Sequence, residues 1–159
     1  MLMTFLRKSL AMLALCGAAL PALAQTTVGE PWVRATVANQ QASGAFMTLT
    51  ADTDSKLVAV QSPVARDVQI HEMRMQGDVM SMGPVQAVDL PAGKTVVLDA
   101  NGYHVMLMGL TGQLKEGQQV ALTLVIEDAK GNRENLEVQA PVRALTSGGH
   151  EMHHGKGHM

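Results

Sequence analysis

Apolar and polar residues alternate with period two through nearly every apolar run between Trp32 and Ala140, and turn-forming residues cut those runs at short intervals. Successive side chains on a strand point to opposite faces, so a segment patterned this way buries one side only as a strand. The alternation predicts strands over residues 32–37, 45–50, 56–61, 67–73, 79–82, 85–90, 94–99, 103–110, 120–127 and 134–140. Gln76-Gly77-Asp78, Pro91-Ala92-Gly93, Ala100-Asn101-Gly102 and Lys130-Gly131-Asn132 supply turns, and the Asn-Gly pair is of the kind that joins hairpin strands. No segment carries the pattern of an amphipathic helix, and no internal repeat is present. Short strands of this kind in such number imply an all-β chain folded as a Greek-key barrel or sandwich.

The first residues read differently. Arg7 and Lys8 precede an apolar run over 10–20, and Ala22-Leu23-Ala24 stands just before Gln25. That order of charge, apolar core and small residues is an export signal, and the run is about half the length of a membrane span. Cleavage is expected after Ala24, giving a periplasmic chain that does not span the membrane. Cys16, the only cysteine, falls inside this leader, so the processed chain has neither thiol nor disulfide. Lipidation within Leu13-Ala14-Leu15-Cys16 is the alternative, disfavoured because Leu15 is bulkier than the small residue usual before a lipidated cysteine. Losing Arg7 and Lys8 takes the basic residues from 12 to 10 against 14 acidic ones, a formal net charge of −4 with histidine neutral. Nucleic acid is not an expected partner, because binding it takes a concentrated basic surface. The expected organisation is a signal peptide over 1–24, one domain over 25–143 and a flexible tail over 144–159.

Four residues in the domain carry distinctive chemistry: His71, Met82, His104 and Met106. Two imidazoles and two thioethers without a cysteine suit copper, cuprous copper above all, better than zinc, calcium or magnesium. Alternation puts His71 and Met73 on one strand face with Val68 and Ile70 on the other; His104, Met106 and Met108 share a face opposite Val105 and Leu107. Met82 ends its short segment and is expected to close the site from a loop. Taken singly, a strand methionine such as Met47 is core filler and a strand histidine is a hydrogen-bonded structural residue. Convergence argues otherwise here, since the domain's only two histidines each stand two residues before a methionine. The tail offers His150, Met152, His153, His154, His158 and Met159, whose imidazoles suit cupric copper. Milder roles are expected elsewhere: Trp32 packing the barrel end, Glu72 solvated or paired with a neighbouring charge, Arg34 and Arg74 on the surface, Asp52 and Asp54 forming turns.

The spacing of His71, ten residues, Met82, twenty-one residues, His104, one residue and Met106 resembles that of the periplasmic copper chaperones of the PCu(A)C family. Pro31-Trp32-Val33-Arg34, His71-Glu72-Met73 and Pro91-Ala92-Gly93 followed by Tyr103-His104-Val105-Met106-Leu107-Met108-Gly109-Leu110 are similar too, and the likeness covers about residues 28–142. The resemblance implies a cupredoxin-like barrel that holds one Cu(I) through His71, Met82, His104 and Met106, with Met73 an auxiliary or alternate ligand. It also implies delivery of copper to the copper-bearing subunit of cytochrome c oxidase, directly or through a thioredoxin-like copper assembly protein. The tail is expected to hold Cu(II) and the chain to be a monomer. A storage or resistance protein that buffers copper without dedicated delivery needs the same ligands and is the alternative. A blue-copper electron carrier needs a cysteine thiolate that the processed chain lacks. No nucleophile elbow, zinc-protease motif or phosphate loop is present, so an enzyme is not expected.

Overall fold

The computed structural model describes residues 25–144; the signal-peptide and tail expectations lie outside the described residues. Ten strands and no helix make up this region: β1 (Thr26–Arg34), β2 (Ala42–Ala51), β3 (Ser55–Gln61), β4 (Ala65–Gln76), β5 (Val79–Val85), β6 (Val88–Leu90), β7 (Thr95–Leu98), β8 (Tyr103–Leu110), β9 (Gln119–Asp128) and β10 (Arg133–Arg143). Among the described residues no helix is long and apolar enough to cross a membrane.

The hydrogen-bonded path runs β5-β4-β8-β2-β1-β10-β9-β3-β6 without returning on itself, with β7 beside β2. Two sheets share this path, joined where β1 runs parallel to β10 at Val33 and Arg34. The fold is therefore all-β and sandwich-like, with an open edge in place of a closed barrel. One apolar cluster lies between the sheets. Val33, Ala45, Leu49, Ile70, Val105 and Leu107 enter it from one side and Leu57, Leu122, Leu124 and Ile126 from the other. Met47 is part of that cluster, as core filler.

Three local features depart from the alternation. β1 begins at Thr26, six residues before the predicted start, because a bulge between Gly29 and Trp32 breaks the period. Glu30 sits at φ +43 within it, and Pro31 follows. Gly29 faces Thr48 and Trp32 faces Phe46, so the extra residue turns Val33 into the core and Trp32 to the outer face. Met82 lies within β5, which continues to Val85, so it is a strand residue and does not close the site from a loop. The Asn-Gly turn joins no hairpin: β7 pairs with Met47 to Thr50 of β2, and β8 pairs with Ala42 to Ala45 of the same strand. A two-residue type I′ hairpin needs positive φ at both central residues, and neither Asn101 nor Gly102 has it. Instead the Asp99 carboxylate accepts from Asn101 N–H at 2.9 Å, turning the chain from one end of β2 to the other.

Candidate metal centre

The outer face of the first sheet carries the candidate residues. On β2 the core takes Ala45, Met47 and Leu49, leaving Gly44 and Phe46 outside. On β8 it takes Val105 and Leu107, leaving His104, Met106 and Met108. Cross-strand register then fixes neighbours: His71 of β4 stands opposite His104 of β8, Gln69 opposite Met106, and Gly44 of β2 beside Met106 on the other side. On the far edge Met73 of β4 faces Met82 of β5. Residues directly opposite one another share a sheet face, so both histidines and Met73, Met82 and Met106 project together. Met73, Met82, His104 and Met106 line one open cavity of about 300 Å³, walled on its other side by Arg34, Gln40 and Phe46. His71 is not in that wall; it lies behind His104, with ring centroids 6.0 Å apart.

Both imidazoles are buried, His71 at 8% exposure and His104 at 4%. Each has one nitrogen tied to an oxygen acceptor; the other has no partner in His71 and meets the Met82 sulfur in His104. His104 Nδ1 lies 3.2 Å from the Gly102 carbonyl, which can only accept, so Nδ1 carries the proton and Nε2 keeps its lone pair. That Nε2 is 3.0 Å from the Met82 sulfur. The outer face of β4 continues from His71 through Gln69 to Asp67. Gln69 Nε2 donates to Asp67 Oδ2 at 2.8 Å, which orients the amide and turns its oxygen toward His71 Nε2 at 2.9 Å. His71 Nε2 therefore donates, and Nδ1 is the free acceptor. It is the single buried side-chain nitrogen or oxygen among the described residues with no hydrogen-bond partner. Leaving such a group unpaired costs about 1–3 kcal/mol.

The His71 pKa lies below its ordinary value, first because burial disfavours the imidazolium and second because His104 faces it, with Asp67 opposing. Neutral imidazole is the form that ligates a metal. Tyr103, opposite Glu72, has its phenol pKa raised, chiefly by burial and next by the Glu72 carboxylate. Glu72 also accepts from Arg74 Nε at 2.7 Å, so it is paired with a neighbouring charge. Among the described residues no three His, Cys, Asp or Glu side chains gather to hold a metal, so any cation held here depends on the thioethers. Neutral nitrogen and sulfur donors of this kind favour a soft cation over zinc, calcium or magnesium.

Gln69, Asp67 and Phe46 are additions to the sequence reading. An Asp-x-Gln-x-His run puts three polar side chains on one strand face, a signal that was present in the sequence. Phe46 emerges only from the register. Its ring packs against Trp32 at 4.7 Å between centroids and a tilt of 40°, with the Arg34 guanidinium 5.4 Å above it. Trp32 in turn lies under the Arg143 guanidinium, also at 5.4 Å. Trp32 thus packs on the outer face beside the cavity, not at the end of the fold. Arg34 is exposed, as expected of a surface charge, and also lines the cavity.

Residues 26–142 match the family described as "Putative lipoprotein LpqE-like". The chain belongs to the LpqE-like family, which is the PCu(A)C family. A curated relative, "Putative lipoprotein Lxx21020" of Leifsonia xyli subsp. xyli (strain CTCB07), is 30% identical over 149 residues, covering 88% of this chain and 87% of its own. The solution structure of CuI-DR1885 from Deinococcus radiodurans is 35% identical, with a TM-score of 0.55 over 77% of this chain and 81% of that one. The copper-bound PCuAC domain from PmoF2 is 25% identical, with a TM-score of 0.58 over 75% of this chain and 92% of that domain. The apo PCuAC domain from PmoF1, 24% identical with a TM-score of 0.60, agrees in fold. This PCu(A)C chain thus has a cupredoxin-like β fold, as the sequence led us to expect.

Proposed function

We propose that this PCu(A)C protein is an exported copper chaperone that carries one Cu(I) on the outer face of its first sheet, held by His71, Met82, His104 and Met106. Copper is cargo here, not a resident cofactor. The observation that carries this reading is the pair of buried imidazoles on the same face as three thioethers, each with one nitrogen tied to an oxygen acceptor, the second unpartnered in His71 and against the Met82 sulfur in His104. His71 offers Nδ1 and His104 offers Nε2. Names of relatives support the metal: one solved relative is described as the CuI form and another as copper-bound. Lipoprotein names among the relatives support export. Cleavage after Ala24 and a domain over 25–143 belong to the same proposal and rest on the leader pattern of the sequence.

Handover follows from the ligands. Thioethers are neutral and bind cuprous copper less strongly than thiolates, so a recipient's reduced cysteine pair can displace them one at a time. Met82, at 48% exposure, is the ligand a recipient reaches first, whereas the two histidines are buried and leave last. Recipients of this chemistry are the copper-bearing subunit of cytochrome c oxidase or a thioredoxin-like assembly protein. Handover requires no base, nucleophile or electron transfer, so the function is not enzymatic. The tail, with His150, Met152, His153, His154, His158 and Met159, is assigned to Cu(II) capture. Supply of the domain from the tail of the same monomeric chain takes a one-electron donor outside the protein, which reduces the captured Cu(II) to Cu(I).

Mixing the Cu(I)-loaded protein with each candidate recipient and separating the two tests delivery. Metal recovered on the recipient supports a chaperone; metal retained in the presence of every reduced recipient supports storage. Substituting His104 and Met106 together must abolish Cu(I) binding, and unchanged binding would remove the site assignment.

A further inference from the structure

The domain's seven methionines are unevenly placed. Met47 alone is in the core, while Met73, Met75, Met80, Met82, Met106 and Met108 all lie on strands whose register puts them on the outer face with the histidines. Core filling, the usual role of a strand methionine, does not describe them. Met106, Met82 and Met73 line the cavity, but Met75 and Met80 stand beyond it, opposite one another near the tip of the β4–β5 hairpin. They are 64% and 54% exposed.

Hairpin geometry sets their spacing. Gln76 and Val79 close the hairpin around Gly77 and Asp78, with Gly77 at φ +63, as a type II′ turn requires. Pro84, which has no N–H to give, faces His71 and marks that row as one without backbone bonds between the pair. Alternation makes Met73/Met82 and Met75/Met80 rows of the same kind, in which opposed side chains are closest. Successive rows of this kind are about 7 Å apart along the strand. Histidine, thioether pair and thioether pair therefore follow one another from the cavity to the hairpin tip. On the opposite face of the tip the corresponding positions are Arg74, Ser81, Gln76 and Val79, so sulfur is confined to the side that leads to the site.

We infer that Met75 and Met80 form a second, surface thioether site for a soft monovalent cation, through which Cu(I) passes on its way to and from the cavity. This rests on the reading of the cavity as the Cu(I) site. Two thioethers without a nitrogen hold copper more loosely than the full set, as suits a transfer station. A cation at Met75/Met80 reaches the cavity by exchanging onto Met73 and Met82, one row further in.

The test is a titration of the full-length protein, labelled with ¹³C in its methionine methyls, with Cu(I) under reducing, oxygen-free conditions. Resonances are assigned from single methionine-to-leucine variants. The first equivalent should shift the Met82 and Met106 methyls, and metal beyond it should shift Met75 and Met80. The variant M75L/M80L should lose the second step, keep the first and release Cu(I) to a chelator more slowly. Met75 and Met80 methyls that stay fixed up to two equivalents overturn the second site, whatever Met82 and Met106 do. Fixed Met82 and Met106 methyls overturn the cavity reading instead, so the two failures are separable.

Discussion

Gln69 touches no metal in the proposed scheme, yet replacing it should weaken Cu(I) binding. In Gln69→Leu the His71 Nε2–H loses its acceptor, now 2.9 Å away, and the Asp67 carboxylate loses the amide that linked it to the ring. Nothing then fixes which His71 nitrogen carries the proton, and the tautomer with Nδ1 free is no longer favoured. Removing a partner that orients a ligating histidine typically costs 10–100-fold in metal affinity, about 1.4–2.7 kcal/mol. Gln69 is only part-buried, so water replaces some of the lost bond. The expected loss is therefore near the lower end, about tenfold or ~1.4 kcal/mol. Competition against a colorimetric Cu(I) chelator near neutral pH measures it. Gln69→Glu keeps an acceptor for His71 but loses the donor to Asp67 and sets two carboxylates side by side, so its affinity should fall between those of the parent and Gln69→Leu. An affinity for Gln69→Leu equal to that of the parent, or a Gln69→Glu as weak as Gln69→Leu, refutes the reasoning.

Acid should destabilise the metal-free protein through His71. Its folded pKa lies below the ordinary 6.5, so as pH falls through 6.5 the unfolded chain takes up a proton that the folded chain refuses. Stability is lost across the window from 6.5 down to the lowered folded value; urea midpoints should fall on acidification, and fall less in His71→Asn. Gly44→Ala should cost about 1–3 kcal/mol in urea denaturation, the range for overpacking. A Cβ there would come within 2.7 Å of the Phe46 ring. Deleting residues after Ser147 should remove Cu(II) binding and spare Cu(I) binding, measured by titration of each oxidation state; equal loss of both contradicts a separate tail site.

Much of the fold is legible in the sequence because one buried face forces strict alternation, and every predicted strand has a counterpart. The failures have local causes. The bulge at Gly29 to Trp32 hides the first half of β1, since the alternation changes phase there. The Asn-Gly signal predicts a hairpin, but β2 is ten residues long and accepts β7 and β8 one after the other along one edge. Met82 looked like a segment end because Gly83 and Pro84 follow it; on an edge strand both are tolerated. For the site, sequence placed each donor on its strand face, yet pairing across strands was out of reach. That His71 opposes His104, that Gln69 fixes the His71 proton, and that Phe46 walls the cavity all depend on register, which no single strand encodes.

X-ray absorption at the copper edge on protein carrying one equivalent of Cu(I) tests the central claim most directly. Nitrogen and sulfur scatterers should appear together in the same shell, and the sulfur contribution should fall in Met82→Leu and again in the double variant with Met106→Leu. A shell of nitrogen and oxygen alone, or sulfur scattering unchanged in both variants, would contradict a site built from His71, Met82, His104 and Met106.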